Sequence, residues 1–157
     1  MAVVCRTEDK PLRDELDRLG FPARNRIANP APERGMFSSI VCAANWDDWD
    51  PALTAWAVVL GDQPHLRPES LRTLLAFQRE HPENICQPSY GGHGRHPVLL
   101  SRPWWVELGR SRAGTLKDFL RQASAPVVEC PIDDVGLTLD LDTPQDYTQL
   151  LRIWAIH

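Results

Sequence analysis

Lysine is almost absent from this chain: Lys10 and Lys117 stand alone beside fifteen arginines. Arginine suits two-pronged recognition of phosphate or carboxylate, but such a skew says little alone. Excess positive charge is lacking too, since the formal net charge is -4. That excludes a general nucleic-acid binder, which carries a basic stripe. No apolar run approaches the roughly 20 residues that cross a bilayer, so no membrane partner is expected. The opening MAVVCRTEDK is too short in its apolar part for a secretory signal. The four cysteines, Cys5, Cys42, Cys86 and Cys130, form no CxxC pair, which excludes a zinc ribbon or redox motif. They read as buried free thiols of a cytoplasmic protein. No serine lies in a GxSxG elbow and no cysteine pairs with a histidine in a recognisable motif, so hydrolase and thiol-enzyme chemistry have no support. His65, His93 and His96, taken with Asp62, fit no spacing of transition-metal ligands.

What is present is a globular composition, 43% apolar and 24% charged over 157 residues, enough for one domain spanning 1–157 with a real core. Short apolar runs alternate with helical periodicity, which predicts an α/β domain with a mainly parallel sheet. Strands are expected at Ala2–Cys5, Arg24–Ala28, Ala55–Leu60, from Ile85, at His96–Ser101, Val127–Cys130 and Leu137–Leu141. Helices are expected at Lys10–Leu19, ended by Gly20, and at Met36–Asn45, Pro68–Glu80, Pro103–Leu108 and Thr115–Gln122. A final helix opens at Thr143-Pro144, the threonine as cap and the proline at the first position. Asp133 and Asp134 read as a solvated turn before Gly136. Trp104, Trp105 and Trp154 read as packing residues, and Trp46 and Trp49, in an acidic loop, as candidate surface anchors.

Two acidic stretches carry the candidate chemistry. AWAVVL runs into Gly61-Asp62, where Pro64 stops the strand; LDLDTPQDY places Asp140 and Asp142 on one face of an alternating segment. Open α/β sheets bind ligands beyond the carboxyl ends of their strands. Two carboxylates meeting there repel unless a cation lies between them, and Mg²⁺ is the natural one, with its preference for hard oxygens. The other reading makes Asp142 a helix cap and Asp62 an ordinary turn residue. Spacing alone leaves both open.

Five segments, in order, resemble the molybdenum-cofactor nucleotidyltransferase family (MobA-like NTP transferases), particularly its cytidylyltransferase branch. They are Asn29 with Gly35-Met36-Phe37-Ser38-Ser39; Leu60-Gly61-Asp62-Gln63-Pro64; Pro88-Ser89-Tyr90 with Gly94-Arg95-His96-Pro97-Val98; Gly114-Thr115-Leu116; and Asp140-Leu141-Asp142-Thr143-Pro144-Gln145-Asp146-Tyr147. The resemblance implies a three-layer Rossmann-like nucleotidyltransferase fold. It implies Asp62 and Asp142 as catalytic, Mg²⁺-holding carboxylates, with Asp140 as the alternative to Asp142. Asn29, Gly35, Met36, Ser38 and Ser39 would line the base and ribose; Gly94, His96 and Pro97 would lie in a loop on the acceptor side. The implied partners are a nucleotide, CTP ahead of GTP, and a phosphorylated acceptor such as molybdopterin. The implied reaction is transfer of CMP with release of pyrophosphate.

One family feature is missing. Its members open with a strand and a glycine-rich loop of the type LAAGxSxRMGxxK, whose backbone N–H groups cradle the triphosphate. Ala2–Cys5 resembles the family's second strand, so the domain is expected to be N-terminally truncated, with first strand and phosphate loop missing. Gly91-Gly92-His93-Gly94 lies between two strands and reads as a turn, not as that loop. The alternative function is a catalytically inactive relative, a binding or assembly partner that dimerises to cover its exposed sheet.

Overall fold

The computed structural model describes residues 1–124 and 126–154. In chain order its elements are β1 (Val3–Arg6), α1 (Lys10–Arg18), β2 (Arg26–Asn29), α2 (Met36–Ala44), β3 (Ala55–Val58), α3 (Pro68–Glu80), β4 (Ile85–Tyr90), β5 (His93–Gly94), β6 (Val98–Ser101), α4 (Arg102–Arg110), α5 (Leu116–Gln122), β7 (Val127–Pro131) and α6 (Pro144–Trp154). They group into two compact units: Met1–Thr54 with Arg102–Ser124, and Ala55–Ser101 with residues 126–154. No helix of the described residues is long and apolar enough to cross a membrane.

In the first unit, β1 and β2 pair in parallel, with Val4 opposite Ile27 and Arg6 opposite Asn29. The crossover is α1. Asp9 caps it by accepting from the Leu12 amide at 3.2 Å, and Gly20 leaves it at a φ of +66° that other residues rarely adopt. Helix α2 buries Phe37, Ile40 and Ala43 and packs on α4, which buries Trp105 and Leu108. Phe119 of α5 approaches Phe37, ring centroids 6.3 Å apart. Trp46 and Trp49 are not surface anchors. The Trp49 indole donates to the Ala43 carbonyl at 2.7 Å, and its ring meets Trp46 edge-on at 4.8 Å and Trp105 at 6.3 Å. The loop's acidic neighbours face water while its aromatic rings pack inward, which is how amphipathic side chains lower their exposed apolar area.

The second unit holds a five-stranded mixed sheet in which β3, β6 and β4 are successive neighbours. β3 and β4 are joined through α3, a crossover that leaves them running the same way. β6 lies between them, antiparallel to both, pairing Trp56 with Leu100 and Cys86 with Leu99. β7 pairs in parallel along Ile85–Ser89. The α/β class holds, but a mainly parallel sheet does not: three of the five pairings among the described residues are antiparallel. The reason is connection length. Parallel neighbours need a crossover of a dozen or more residues, and the stretch 91–97 between β4 and β6 is too short for one. It turns back instead, with Gly91 and Gly92 at φ +60° and +76°, pairing Tyr90 with His93.

Under α3, Leu74, Cys86, Leu99 and Cys130 form a core flanked by Phe77, Val128 and Ile132. All four cysteines are free, with Cys86 and Cys130 buried. Burial, with a smaller contribution from Cys130, pushes the Cys86 thiol up to about 11. An unfolded thiol ionises near 8.5, so between about pH 9 and 11 the unfolded chain has shed a proton the folded one keeps. Stability therefore falls as pH rises through that window. A thiol-reactive dye at pH 8 is expected to label Cys5 and Cys42 first in the native protein; equal rates for all four thiols would count against this core.

One predicted strand is not there. Residues 137–141 contain no paired strand; Val135–Thr138 is a 3-10 turn, after which Leu139 is extended at φ -104°, ψ 132°. The Asp134 carboxylate takes the Gly136 amide at 2.9 Å, and the Leu137 amide bonds back to the Asp134 carbonyl at 3.1 Å. Aspartate two residues before a glycine competes with strand pairing in just this way. α6 starts as the sequence predicts. Thr143 Oγ1 accepts from the Asp146 amide at 3.2 Å, and the Asp146 carboxylate accepts from the Thr143 amide at 2.8 Å. Such a reciprocal box satisfies two otherwise orphaned N–H groups.

Candidate active site

β3 ends at Val58, so Asp62 sits in a turn four residues beyond the strand rather than at its tip. The chain after the 3-10 turn comes back alongside it: the Leu141 amide donates to the Asp62 carbonyl at 3.2 Å. Beside this bond, Gln63 Nε2 donates to Asp140 Oδ1 at 2.8 Å. The two acidic stretches, nearly eighty residues apart in sequence, thus meet in the second unit. Asp62 Oδ1 is buried with no hydrogen-bond partner, and so is Gln63 Oε1. Asp140 and Asp142 are exposed.

His96 completes the group. Nδ1 donates to the Val58 carbonyl at 3.3 Å, the only role open to it because a carbonyl only accepts. Burial holds its pKa below the usual histidine value; the Val58 carbonyl, Asp140 and Asp62 work in the opposite direction. His96 is therefore close enough to feel both carboxylates. Pro97, joined to it by a cis peptide, is fully buried, and Gly94 is exposed opposite Ser89 in β5. His65 and His93 do not join them. His65 Nε2 donates to the Gly136 carbonyl at 2.8 Å, and His93 is exposed in β5. Among the described residues no group of three or more His, Cys, Asp or Glu side chains is arranged to hold a metal. A cation here would draw its remaining ligands from elsewhere.

In the first unit the base-side candidates form a node at the end of β2. Asn29 is only 1% exposed. Its Nδ2 donates to Ser38 Oγ at 2.8 Å and Ser39 Oγ at 3.0 Å, while its Oδ1 accepts from the Ala31 amide at 2.9 Å. The asparagine thereby ties β2 to the first turn of α2. Gly35, at φ +85°, starts that helix, and Met36 is 55% exposed beside it.

Residues 1–127 match the MobA-like NTP transferase domain. The chain belongs to that family. No curated protein matches the sequence. Several solved structures resemble the fold. Molybdopterin-guanine dinucleotide biosynthesis protein A from Archaeoglobus fulgidus gives a TM-score of 0.68 at 17% identity, over 98% of this chain and 78% of that one. Rv0371c from Mycobacterium tuberculosis H37Rv, solved in complex with manganese, gives 0.64 at 26% identity, over 88% and 73%. Its homolog from Mycobacterium sp. strain JC1 gives 0.61 at 24% identity, over 76% and 59%.

In this MobA-like chain, sequence reasoning missed two residues of the second unit. Gln63 stood inside a motif without a role; only its partner, Asp140, reveals one. Asp134 is 2% exposed rather than solvated. It accepts from Ser70 Oγ at 2.6 Å and from the Gly136 amide, with Arg67 Nε 3.6 Å away. The Asp-x-Gly spacing signalled the second of these contacts, and nothing local signalled Ser70.

Proposed function

We propose that this protein is a divalent-cation-dependent nucleotidyltransferase that moves CMP from CTP to molybdopterin, with Asp62 and an acidic partner from Asp140–Asp142 holding Mg²⁺. The observation that carries the reading is the pairing of the two acidic stretches around a buried Asp62 oxygen that has no partner. A buried carboxylate oxygen left unsatisfied is costly, and a hard cation is the ligand that suits it beside a second carboxylate. Two carboxylates are a partial shell, which fits Mg²⁺, since that ion commonly keeps waters and substrate phosphates as its other ligands. Bound there, the ion would neutralise charge on the transferring phosphoryl group. A terminal phosphate oxygen of the acceptor forms the new bond to the α-phosphorus, and the α–β bridging bond breaks, its electrons leaving with pyrophosphate. That nucleophile is already ionised, so the chain's side chains act by positioning rather than as a strong base. Asn29, Gly35, Met36, Ser38 and Ser39 serve the base and ribose in this reading, and Gly94, His96 and Pro97 the acceptor. The manganese complex of Rv0371c is consistent with a divalent ion in such a domain.

The test is a melting experiment with Mg²⁺ and nucleotide, followed by pyrophosphate release on adding the acceptor. Ligand at about 100 times its Kd stabilises by about 2.7 kcal/mol, which for a protein of this size raises Tm by about 5–10 °C. CTP is expected to do this at lower concentration than GTP. No shift with any nucleotide at millimolar concentration would sink the proposal and favour the inactive binding partner.

A further inference from the structure

We infer that Gln63 is a positioning residue that fixes Asp140, rather than Asp142, as the carboxylate beside Asp62; this rests on the cation reading above. Gln63 is 6% exposed, so its side chain is held by its surroundings, and its amide bonds Asp140 at 2.8 Å. An ionised carboxylate only accepts hydrogen bonds, so the nitrogen end of the amide must face it. Asp140 is itself exposed and lies outside any strand, directly after the extended Leu139. Without a tether its carboxylate would sample many rotamers and would swing away from Asp62 to relieve like-charge repulsion.

Glutamine meets three requirements that its neighbours in size do not meet together. It donates to Asp140, it adds no charge to a site that already holds two acids, and it reaches from the turn that carries Asp62. Glutamate would repel Asp140, and leucine or methionine would offer it nothing. Oxygen Oε1 then stays buried as a second acceptor without a partner, next in sequence to the unpartnered Asp62 oxygen. The Leu141–Asp62 backbone bond holds the two segments in register, and Gln63 converts that register into a defined place for one carboxylate. Among the described residues, none holds the Asp142 carboxylate in this way.

Partners that orient a metal ligand typically contribute 10–100-fold in affinity. The experiment titrates Mn²⁺ alone into the protein and follows free Mn²⁺ by electron paramagnetic resonance, with circular dichroism as the check on folding. Gln63→Met keeps length and removes the donor, and its Mn²⁺ Kd is expected to rise about tenfold. In an Asp140→Ala background the same substitution should add less than a twofold loss, because the tethered group is gone. A general packing role would give equal losses in both backgrounds. If Gln63→Met does not fold, Gln63→Asn, which keeps the amide but falls one methylene short, carries the same expectation. Binding by a folded Gln63 variant within twofold of the unaltered protein overturns the inference while leaving the cation reading intact. No Mn²⁺ binding by the unaltered protein at millimolar concentration overturns both.

Discussion

Asp62→Ala is expected to remove Mn²⁺ binding, with affinity falling on the order of 100-fold or more, and with it cation-dependent pyrophosphate release. A directly coordinating carboxylate should cost at least as much as the outer partners that orient it. The informative part is what happens without metal. Asp62 Oδ1 makes no hydrogen bond, and its backbone carbonyl, which holds Leu141, survives the substitution. Removing the side chain also relieves repulsion from Asp140. The metal-free variant is therefore expected to melt at or slightly above the temperature of the unaltered protein. A structural aspartate in a turn would behave in the opposite way, losing stability with no change in Mn²⁺ affinity. Asp140→Ala should weaken Mn²⁺ about tenfold and, unlike Asp62→Ala, should lower the metal-free melting temperature, because it leaves the buried Gln63 amide without its acceptor. Asp142→Ala should weaken Mn²⁺ by no more than a few-fold, since Asp142 is exposed and Gln63 holds Asp140 instead.

How much of this was legible in the sequence depended on how local each cause is. α3 lies at Pro68–Glu80 as predicted because its signals, a first-turn proline and a leucine periodicity, reside inside the helix. The Thr143 cap was equally local. The direction of β6 was not read, although it was readable: seven residues cannot make a parallel crossover, whatever their composition. Alternation misled at Leu139–Asp142. It matches the burial, with Leu139 and Leu141 half-buried and both acids exposed, but hydrogen-bond pairing is a long-range property and Asp134 had already pulled the chain into a 3-10 turn. The site divided along the same line. Asp62, Asp140 and Asp142 stood out as candidates by residue type and position, with the family resemblance placing Asp142 ahead of Asp140, whereas Gln63 could acquire a role only from a residue 77 positions away. Asn29 shows the converse: a candidate from family resemblance whose hydrogen bonds already serve the joint between β2 and α2.

Asp134→Ala is expected to be the most destabilising of these single substitutions, by about 2–4 kcal/mol, although the site chemistry never calls on this residue. At 2% exposure its carboxylate joins three parts of the second unit: Ser70 in the first turn of α3, the Gly136 amide in the 3-10 turn, and Arg67 just before α3. Truncation leaves the Ser70 hydroxyl and the Gly136 N–H without their acceptor in a place water reaches poorly, and each such orphan costs about 1–3 kcal/mol. The negative charge at the start of α3 also goes, and with it a favourable interaction with the helix dipole of about 0.3–1 kcal/mol. Ser70→Ala should cost about 1 kcal/mol on its own. Because the two share one hydrogen bond, the double variant should lose less than the sum. Asp133→Ala is the matched control, one residue away and exposed, and should stay within about 0.5 kcal/mol of the unaltered protein. Urea unfolding of the four variants decides it, and near-equal midpoints for Asp133→Ala and Asp134→Ala would rule out the buried junction. The same junction sets the course of the chain toward Asp140. Mn²⁺ affinity in Asp134→Ala should therefore fall in the still-folded protein, and by less than in Gln63→Met, because the Gln63–Asp140 bond itself remains.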